Sequence, residues 1–130
     1  MSWQYFNYGW NGCGGTIYSS EVIITAAHCC ESLGDDNYYK IIAGEQDLDT
    51  QEPSEQRRSV TSFIMHPDYD TDTLENDICL LFLSSPLNLT GSYAKSLPLA
   101  TEGSVITNGT ECFISGWGSV MPVSLDIIKL

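Results

Sequence analysis

Hydrophobic residues in this chain occur in short runs, and they do not recur at helical spacing. β-Branched and aromatic residues fill the runs, while clusters of Gly, Pro, Asn, Asp and Ser separate them. This pattern predicts strands at Gln4–Phe6, Gly15–Tyr18, Glu21–Thr25, Tyr38–Ala43, Arg58–Met65, Asp77–Leu83, Glu111–Ser115 and Leu125–Leu130. One short helical turn is expected at Ala26–Cys30. The fold class that follows is all-β.

The run ICLLFL at Ile78–Leu83 is apolar at every position, as expected of a strand inside a closed barrel. Between Leu83 and Glu111 the chain becomes polar and rich in Ser, Pro, Asn and Gly. We therefore expect a first β unit at residues 1–90, a connection at 91–110 and the start of a second β unit at 111–130.

The charge balance is strongly acidic, with 17 Asp and Glu residues against 5 Lys and Arg and a formal net charge of −12. This argues against nucleic acid as a partner, because binding the phosphate backbone requires basic patches that displace counterions. A cationic partner or bound calcium is favoured, and a solvated, self-repelling surface is the alternative. No membrane span is expected, since no apolar run reaches about 18 residues.

Cysteines and glycosylation sequons indicate an oxidising compartment. The five cysteines contain no C-x-x-C pair, which weakens zinc and thioredoxin interpretations. The sequons N-L-T at Asn88 and N-G-T at Asn108 are candidate N-glycosylation sites. We expect a secreted, extracellular protein, although the N-terminal segment has neither the basic nor the continuous apolar region of a signal peptide.

The polar residues with the most unusual surroundings are His28 and Asp77. Ala26 and Ala27 remove bulk before His28, so the backbone can turn tightly and neighbouring strands can approach. Asp77 opens an apolar run, where an unpaired carboxylate would be costly to bury, and its obvious partner is an imidazole N–H. The alternatives are a structural histidine and an exposed strand cap. His66 lies before a Pro–Asp turn and is assigned no function.

Four motifs occur in order along the chain: C-G-G-T-I at Cys13–Ile17, T-A-A-H-C at Thr25–Cys29, N-D-I-x-L-L at Asn76–Leu81 and C-x-x-x-G-W-G at Cys112–Gly118. Together they resemble the trypsin/chymotrypsin family of serine endopeptidases (peptidase S1), from about Trp3 to Gly118. The resemblance implies a double Greek-key antiparallel β-barrel, with the first barrel nearly complete and the second only begun.

The resemblance also implies the chemistry. His28 would act as general base and then as general acid, and Asp77 would orient the imidazole and stabilise the imidazolium within a Ser-His-Asp triad. Cys13 and Cys29 would form a disulfide, as in the family. The expected activity is extracellular endopeptidase cleavage through an acyl-enzyme, by a monomer that needs no cofactor for catalysis. Its partners would be a polypeptide substrate or a protein inhibitor.

The family's nucleophile motif, G-D-S-G-G-P, does not occur in the sequence, and Ser115 in ISGWGS is a poor substitute. The chain also starts at Met1-Ser2-Trp3, whereas family members are activated by cleavage that frees an I-V-G-G-like N-terminus. We therefore expect an incomplete chain, truncated at both ends and inactive on its own, because triad members act as a unit. The alternative is a catalytically inactive homologue that binds peptides or proteins.

Cys30 and Cys79 are not standard in the family, and each lies two residues after His28 or Asp77. If the imidazole and the carboxylate touch, residues two further along each segment also come close. We therefore predict a Cys30–Cys79 disulfide behind the His–Asp pair, with two buried free thiols as the alternative. A metal site at His28, Cys29 and Cys30 is not expected, since contiguous residues cannot easily converge on one tetrahedral ion.

The segment Gly44–Gln56 contains five acidic residues and no basic residue. It does not fit an EF-hand, but it resembles the calcium-binding loop of trypsins. That resemblance implies a structural Ca²⁺ with these ligands: the side chains of Glu45, Glu55 and Glu52 (the last often through water) and the carbonyls of Asp47 and Thr50. An exposed, solvated loop is the alternative.

Overall fold

A computed structural model describes residues 2–6, 9–31, 33, 39–111, 113 and 115–116, with side chains from Cys13 onward. Its elements are β1 (Ser2–Phe6), β2 (Gly9–Ile17), β3 (Val22–Thr25), α1 (Ala27–Glu31), β4 (Lys40–Ala43), β5 (Gln56–Met65) and β6 (Cys79–Leu83). The strands form a closed barrel in the order β1-β2-β3-β6-β5-β4, and pairing of β1 with β4 closes it. All of these pairings are antiparallel. The predicted all-β fold class is confirmed.

The barrel interior is filled by aliphatic side chains that alternate along the strands, as the pleat requires. On β6, Cys79, Leu81 and Leu83 are buried, while Leu80 and Phe82 are only partly covered. Other buried members of the core are Ile17, Ile23, Ile41, Val60, Leu87 and Ala94. The last two follow β6, so the polar stretch after this strand begins packed against the barrel.

Most predicted strands of the barrel agree with the observed ones to within about two residues, the usual uncertainty of strand ends. β2 is the exception, because it begins at Gly9 rather than at Gly15. Pairing with β1 joins Phe6 to Gly9 and Trp3 to Gly14. This antiparallel pairing overrides the low intrinsic strand propensity of the glycines.

The β6 boundary matters for function, because Asp77 was predicted to open this strand and instead precedes it. Asn76 has a left-handed backbone with a φ of 56°, and the Ile78 amide donates to the Asn76 carbonyl at 2.7 Å. β6 then starts at Cys79. Asp77 therefore lies in a tight turn at the end of the barrel.

The structure shows no second barrel within the residues it describes. Glu111, Phe113 and Ser115 are described and lie in no strand, while Cys112, Ile114 and the predicted strand Leu125–Leu130 lie outside the described residues. Phe113 is 95% exposed. A strand needs a neighbouring strand to pair with its backbone N–H and C=O groups. Among the described residues, no strand lies beside this segment. Among the described residues, no helix has the length and apolar character needed to cross a bilayer.

Gly44 follows β4 and begins the acidic loop Gly44–Gln56 with a left-handed φ of 79°. A Cβ atom at this position would lie 2.4 Å from the carbonyl oxygen of Ser54. The Ser54 hydroxyl in turn donates to the Gly44 carbonyl at 3.0 Å. The two ends of the loop therefore meet at a point where only glycine fits.

We expect Gly44→Ala to lower the free energy of unfolding by about 2–5 kcal/mol, because left-handed strain adds to a backbone clash. Chemical denaturation measures this loss. Gly91→Ala is the control, since its Cβ would meet no atom within 4 Å and its φ is not left-handed. Its effect should stay within about 0.5 kcal/mol. Equal effects of the two substitutions would contradict the account of the loop.

Candidate active site

Helix α1 carries His28 directly after β3, and it has only five residues. Helices this short are not stable alone, so α1 depends on its links to neighbouring strands. Cys29 is disulfide-bonded to Cys13 in β2, and Cys30 is disulfide-bonded to Cys79 at the start of β6. In the structure, therefore, Cys30 and Cys79 are not free thiols. The two bridges tie α1 to β2 and β6, the strands on either side of β3.

Asp77 reaches α1 from the turn before β6. Its Oδ1 atom accepts a hydrogen bond from the backbone N–H of His28 at 2.8 Å, and its Oδ2 atom lies 2.6 Å from His28 Nδ1. The backbone N–H of Ala27 also donates to this carboxylate. Since the first N–H groups of a helix have no partner within it, Asp77 supplies the cap of α1. One carboxylate thus holds both the helix and the ring.

This pairing determines which ring nitrogen of His28 carries the proton in the neutral imidazole. A carboxylate only accepts hydrogen bonds, so Nδ1 is the donor and Nε2 remains as a proton acceptor. The His28 side chain is 51% exposed, whereas that of Asp77 is 22% exposed. The Cys29 Sγ atom lies 3.5 Å from Nε2. The arrangement is that of an accessible base with a mostly covered counter-charge.

The pKa of Asp77 lies below its ordinary value of 3.8. Burial alone would raise this pKa, but the backbone and ring hydrogen bonds of His28, its charge and the N–H of Ala27 outweigh the effect of burial. Asp77 therefore stays ionised at neutral pH, where it stabilises a positive charge on the imidazole.

Tyr69 is a neighbour of this pair that the sequence pattern did not single out. Its ring packs against the barrel core, and its hydroxyl is buried. Burial, together with the negative charges of Glu31, Asp77 and Asp70, raises the pKa of this phenol. Tyr69 therefore stays neutral beside the carboxylates. It lies in an irregular loop without a recognisable motif, so no sequence signal marked it.

Cys13, His28 and Cys29 form a group of potential metal ligands whose donor atoms lie within 4.8 Å of one another. The two sulfur atoms are bonded to each other, so neither is the thiolate that a zinc site requires. This group is therefore a disulfide beside a histidine and not a metal centre.

The acidic loop Gly44–Gln56 links three carboxylates through backbone amides. The N–H of Gln46 donates to Glu45 Oε1 at 3.1 Å and to Glu52 Oε2 at 3.0 Å. The N–H of Glu52 donates to Glu55 Oε1 at 2.6 Å. The three glutamates predicted as calcium ligands therefore belong to one hydrogen-bonded network.

Glu45 is buried in this loop, with 8% of its surface exposed. Burial is the largest of the effects that raise the pKa of Glu45, and the negative charges of Glu55 and Glu52 raise it further. Hydrogen bonds from backbone amides lower this pKa, but by less. Glu45, Thr50 and Glu55 line a pocket of about 210 Å³, together with Asp49 and the cation Arg57. The carbonyl of Asp47 accepts the N–H of Thr50 at 3.0 Å in a turn beside it. This all-oxygen, negatively charged donor set suits calcium.

The two sequon asparagines, Asn88 and Asn108, are exposed. Asn88 Oδ1 accepts hydrogen bonds from the N–H and the hydroxyl of Thr90 at 3.0 and 2.7 Å. Exposure satisfies the first structural requirement of an N-glycosylation site. Ser115 is exposed as well, in a segment without regular structure.

We expect Asp77→Asn to lower the free energy of unfolding by about 1.5–3 kcal/mol at neutral pH, because it removes a charged hydrogen-bond acceptor. The folded-state pKa of Asp77 is lowered, so its stabilisation is complete above the unfolded value of 3.8 and is lost as pH falls through the folded value. The variant should lack this part of the acid dependence. Thermal unfolding of both proteins across the acidic range measures the difference.

Asp68→Asn, in an exposed turn of the same loop, is the control for Asp77→Asn. It should change stability at neutral pH by no more than about 0.5 kcal/mol. Identical acid dependence in the wild type and in Asp77→Asn would show that the carboxylate does not hold α1.

Comparison with known proteins agrees with this geometry. A family model described as trypsin matches residues 1–125. Trypsin I-P1 of Gallus gallus is 41% identical over 115 residues, which cover 88% of this chain and 43% of that protein. Trypsin of Sus scrofa is 39% identical over 114 residues, covering 87% and 46%, and Trypsin-2 of Salmo salar is 36% identical over 124 residues, covering 95% and 50%. This chain spans about half the length of these curated relatives. Because the family model matches nearly the whole chain, the protein belongs to the trypsin family.

Proposed function

We propose that the intact protein is a serine endopeptidase in which His28 is the general base and Asp77 orients it. The observation that carries this proposal is the 2.6 Å contact between His28 Nδ1 and Asp77 Oδ2, which leaves Nε2 as the proton acceptor of a half-exposed ring. Membership of the trypsin family supports the same reaction class.

In this mechanism Nε2 of His28 accepts the proton of a serine hydroxyl while the serine oxygen attacks the scissile carbonyl. The imidazolium then gives that proton to the departing amine, which leaves a covalent acyl-enzyme. Asp77 stabilises the imidazolium through its ionised carboxylate. Water, activated by the same Nε2 atom, hydrolyses the acyl-enzyme. The serine would lie in the part of the relatives' length that this chain does not span.

The proposed setting is extracellular, with polypeptides as substrates and protein inhibitors as further partners of a monomer. Two disulfide bonds support a route through an oxidising compartment. The exposure of both sequon asparagines, Asn88 and Asn108, supports glycosylation on that route.

We expect His28→Asn to reduce kcat/KM by about 10⁴-fold or more, because triad members act as a unit. The natural, complete protein is assayed with a peptide amide substrate. His66→Asn is the matched control: Nδ1 of His66 accepts the N–H of Asp68 at 3.2 Å, a bond that an Asn side chain also makes. Its activity should stay close to that of the wild type.

Full hydrolysis by His28→Asn would contradict the proposal. Saturable peptide binding by a wild-type protein that cleaves nothing would also overturn it. That second result would establish the inactive, peptide-binding homologue in its place.

We also propose that the acidic loop Gly44–Gln56 binds a structural calcium ion. The ligands would be the side chains of Glu45, Glu52 and Glu55 and the carbonyls of Asp47 and Thr50. The support is the burial of Glu45 and the negative charges of Glu55 and Glu52 near it, which in that order raise the pKa of Glu45, because a divalent cation would offset both effects. The ion would stabilise the loop and would take no part in the chemical step.

We expect calcium to stabilise the protein by about 2.7 kcal/mol when its free concentration is about 100 times Kd. Glu45→Gln should abolish this response. In chelator, the same variant should be at least as stable as the wild type, because a raised folded-state pKa means that ionised Glu45 destabilises the fold above that pKa. Thermal unfolding in calcium and in chelator measures both effects.

Glu102→Gln is the control for the calcium site, since this exposed acidic residue lies outside the loop and outside the pocket that Glu45 and Glu55 line. It should keep the calcium response. A wild-type melting temperature that calcium does not change would contradict the proposed site.

A further inference from the structure

The carboxylate of Glu55 already has a cationic partner within the protein. Arg57 donates two hydrogen bonds to Glu55 Oε2, from Nη2 at 2.6 Å and from Nε at 3.0 Å. The Glu55 side chain is only 2% exposed, and its Oε1 atom accepts the N–H of Glu52 at 2.6 Å. Charge-assisted bonds of this kind offset the cost of burying a carboxylate. Both carboxylate oxygens of Glu55 are therefore hydrogen-bonded, and Arg57 compensates its charge.

The adjacent arginine on β5, Arg58, forms no ion pair with a carboxylate of this loop among the described residues. It donates from Nε to the carbonyl of Pro86 at 3.1 Å, from Nη1 to the carbonyl of Arg57 at 2.9 Å and from Nη2 to the side-chain oxygen of Gln56 at 3.5 Å. Arg57 is therefore the arginine whose charge compensates a carboxylate of the loop.

The geometry separates two buried glutamates of the loop. The Glu55 carboxylate forms an ion pair with Arg57, whose Nη2 atom lies 2.6 Å from Oε2. The Glu45 carboxylate accepts the Gln46 N–H at 3.1 Å, and no ion pair to it occurs among the described residues. The guanidinium therefore compensates the charge of one carboxylate of the network and not that of the other.

We propose that Arg57 is the resident cation of the acidic loop, holding Glu55 so that the loop keeps its fold without calcium and binds calcium only weakly. A divalent ion at Glu55 would either displace the guanidinium or lie beside its positive charge, and both outcomes oppose binding. Arg57 is thus the residue that sets the cation affinity of the loop. The affinity part of this inference rests on the calcium site proposed above, whereas the folding part does not.

The test compares Arg57→Gln with Arg58→Gln in the natural, complete protein, by thermal unfolding in chelator and by calorimetric titration with calcium chloride. Arg57→Gln should melt several degrees below the wild type in chelator, because Glu55 is left buried without a counter-charge. Calcium should restore its melting temperature, and its affinity for calcium should exceed that of the wild type by about tenfold or more. Arg58→Gln should bind calcium as the wild type does.

Arg57→Lys separates charge from geometry, and it replaces Arg57→Gln if that variant does not fold. It keeps the positive charge but loses the planar two-donor contact. It should therefore be less stable than the wild type in chelator, while its calcium affinity should stay close to that of the wild type. A tenfold gain in affinity with Lys at position 57 would overturn the assignment of the effect to charge.

Equal behaviour of Arg57→Gln and Arg58→Gln in chelator and in calcium would overturn the whole inference. If Arg57→Gln is destabilised in chelator but neither it nor the wild type binds calcium, the calcium site fails. That result would still support Arg57 as the cation on which the fold of the loop depends.

Discussion

The hydrogen bond between the His28 ring and the Asp77 carboxylate joins residues 49 positions apart in the chain. It forms because β3 and β6 are neighbours in the barrel and Thr25 pairs with Cys79. His28 follows β3 closely and Asp77 precedes β6 closely, so the two residues meet at one end of the barrel. The carboxylate also caps α1, so the backbone and the side chain fix the ring together. Strand order and register thus determine the geometry of the base.

Disulfide bonds, together with the hydrogen bonds of Asp77, hold α1 at this end of the barrel. A five-residue helix has little stability of its own, and disulfides from consecutive cysteines tie it to β2 and to β6.

In a chain with a net charge of −12, each buried carboxylate needs a partner. Asp77 has an imidazole and helix amides, and Glu55 has Arg57. Among the residues that the structure describes, Glu45 has only backbone amides as partners, so it is the carboxylate that would gain most from an added cation.

The sequence predicts the parts of this structure that depend on local pattern. Alternating and continuous apolar runs mark the barrel strands, and the T-A-A-H-C and N-D-I motifs mark His28 and Asp77. The early start of β2 depends on pairing with β1, and the turn that carries Asp77 depends on a left-handed Asn76, neither of which leaves a clear local signal. The sequence pattern does not mark Arg57, because this residue lies one position beyond the acidic segment Gly44–Gln56 whose charge it compensates.

Asp77 accepts a hydrogen bond from Nδ1 of His28, and this leaves Nε2 as the proton acceptor. Nitrogen NMR of histidine-labelled protein tests it directly, because the chain has two histidines with opposite expected tautomers. In the neutral rings, His28 should carry its proton on Nδ1. The NMR signal of that proton should lie downfield and be protected from exchange with water. His66 should carry its proton on Nε2, since its Nδ1 accepts the Asp68 N–H. A neutral His28 ring protonated on Nε2 would contradict the account.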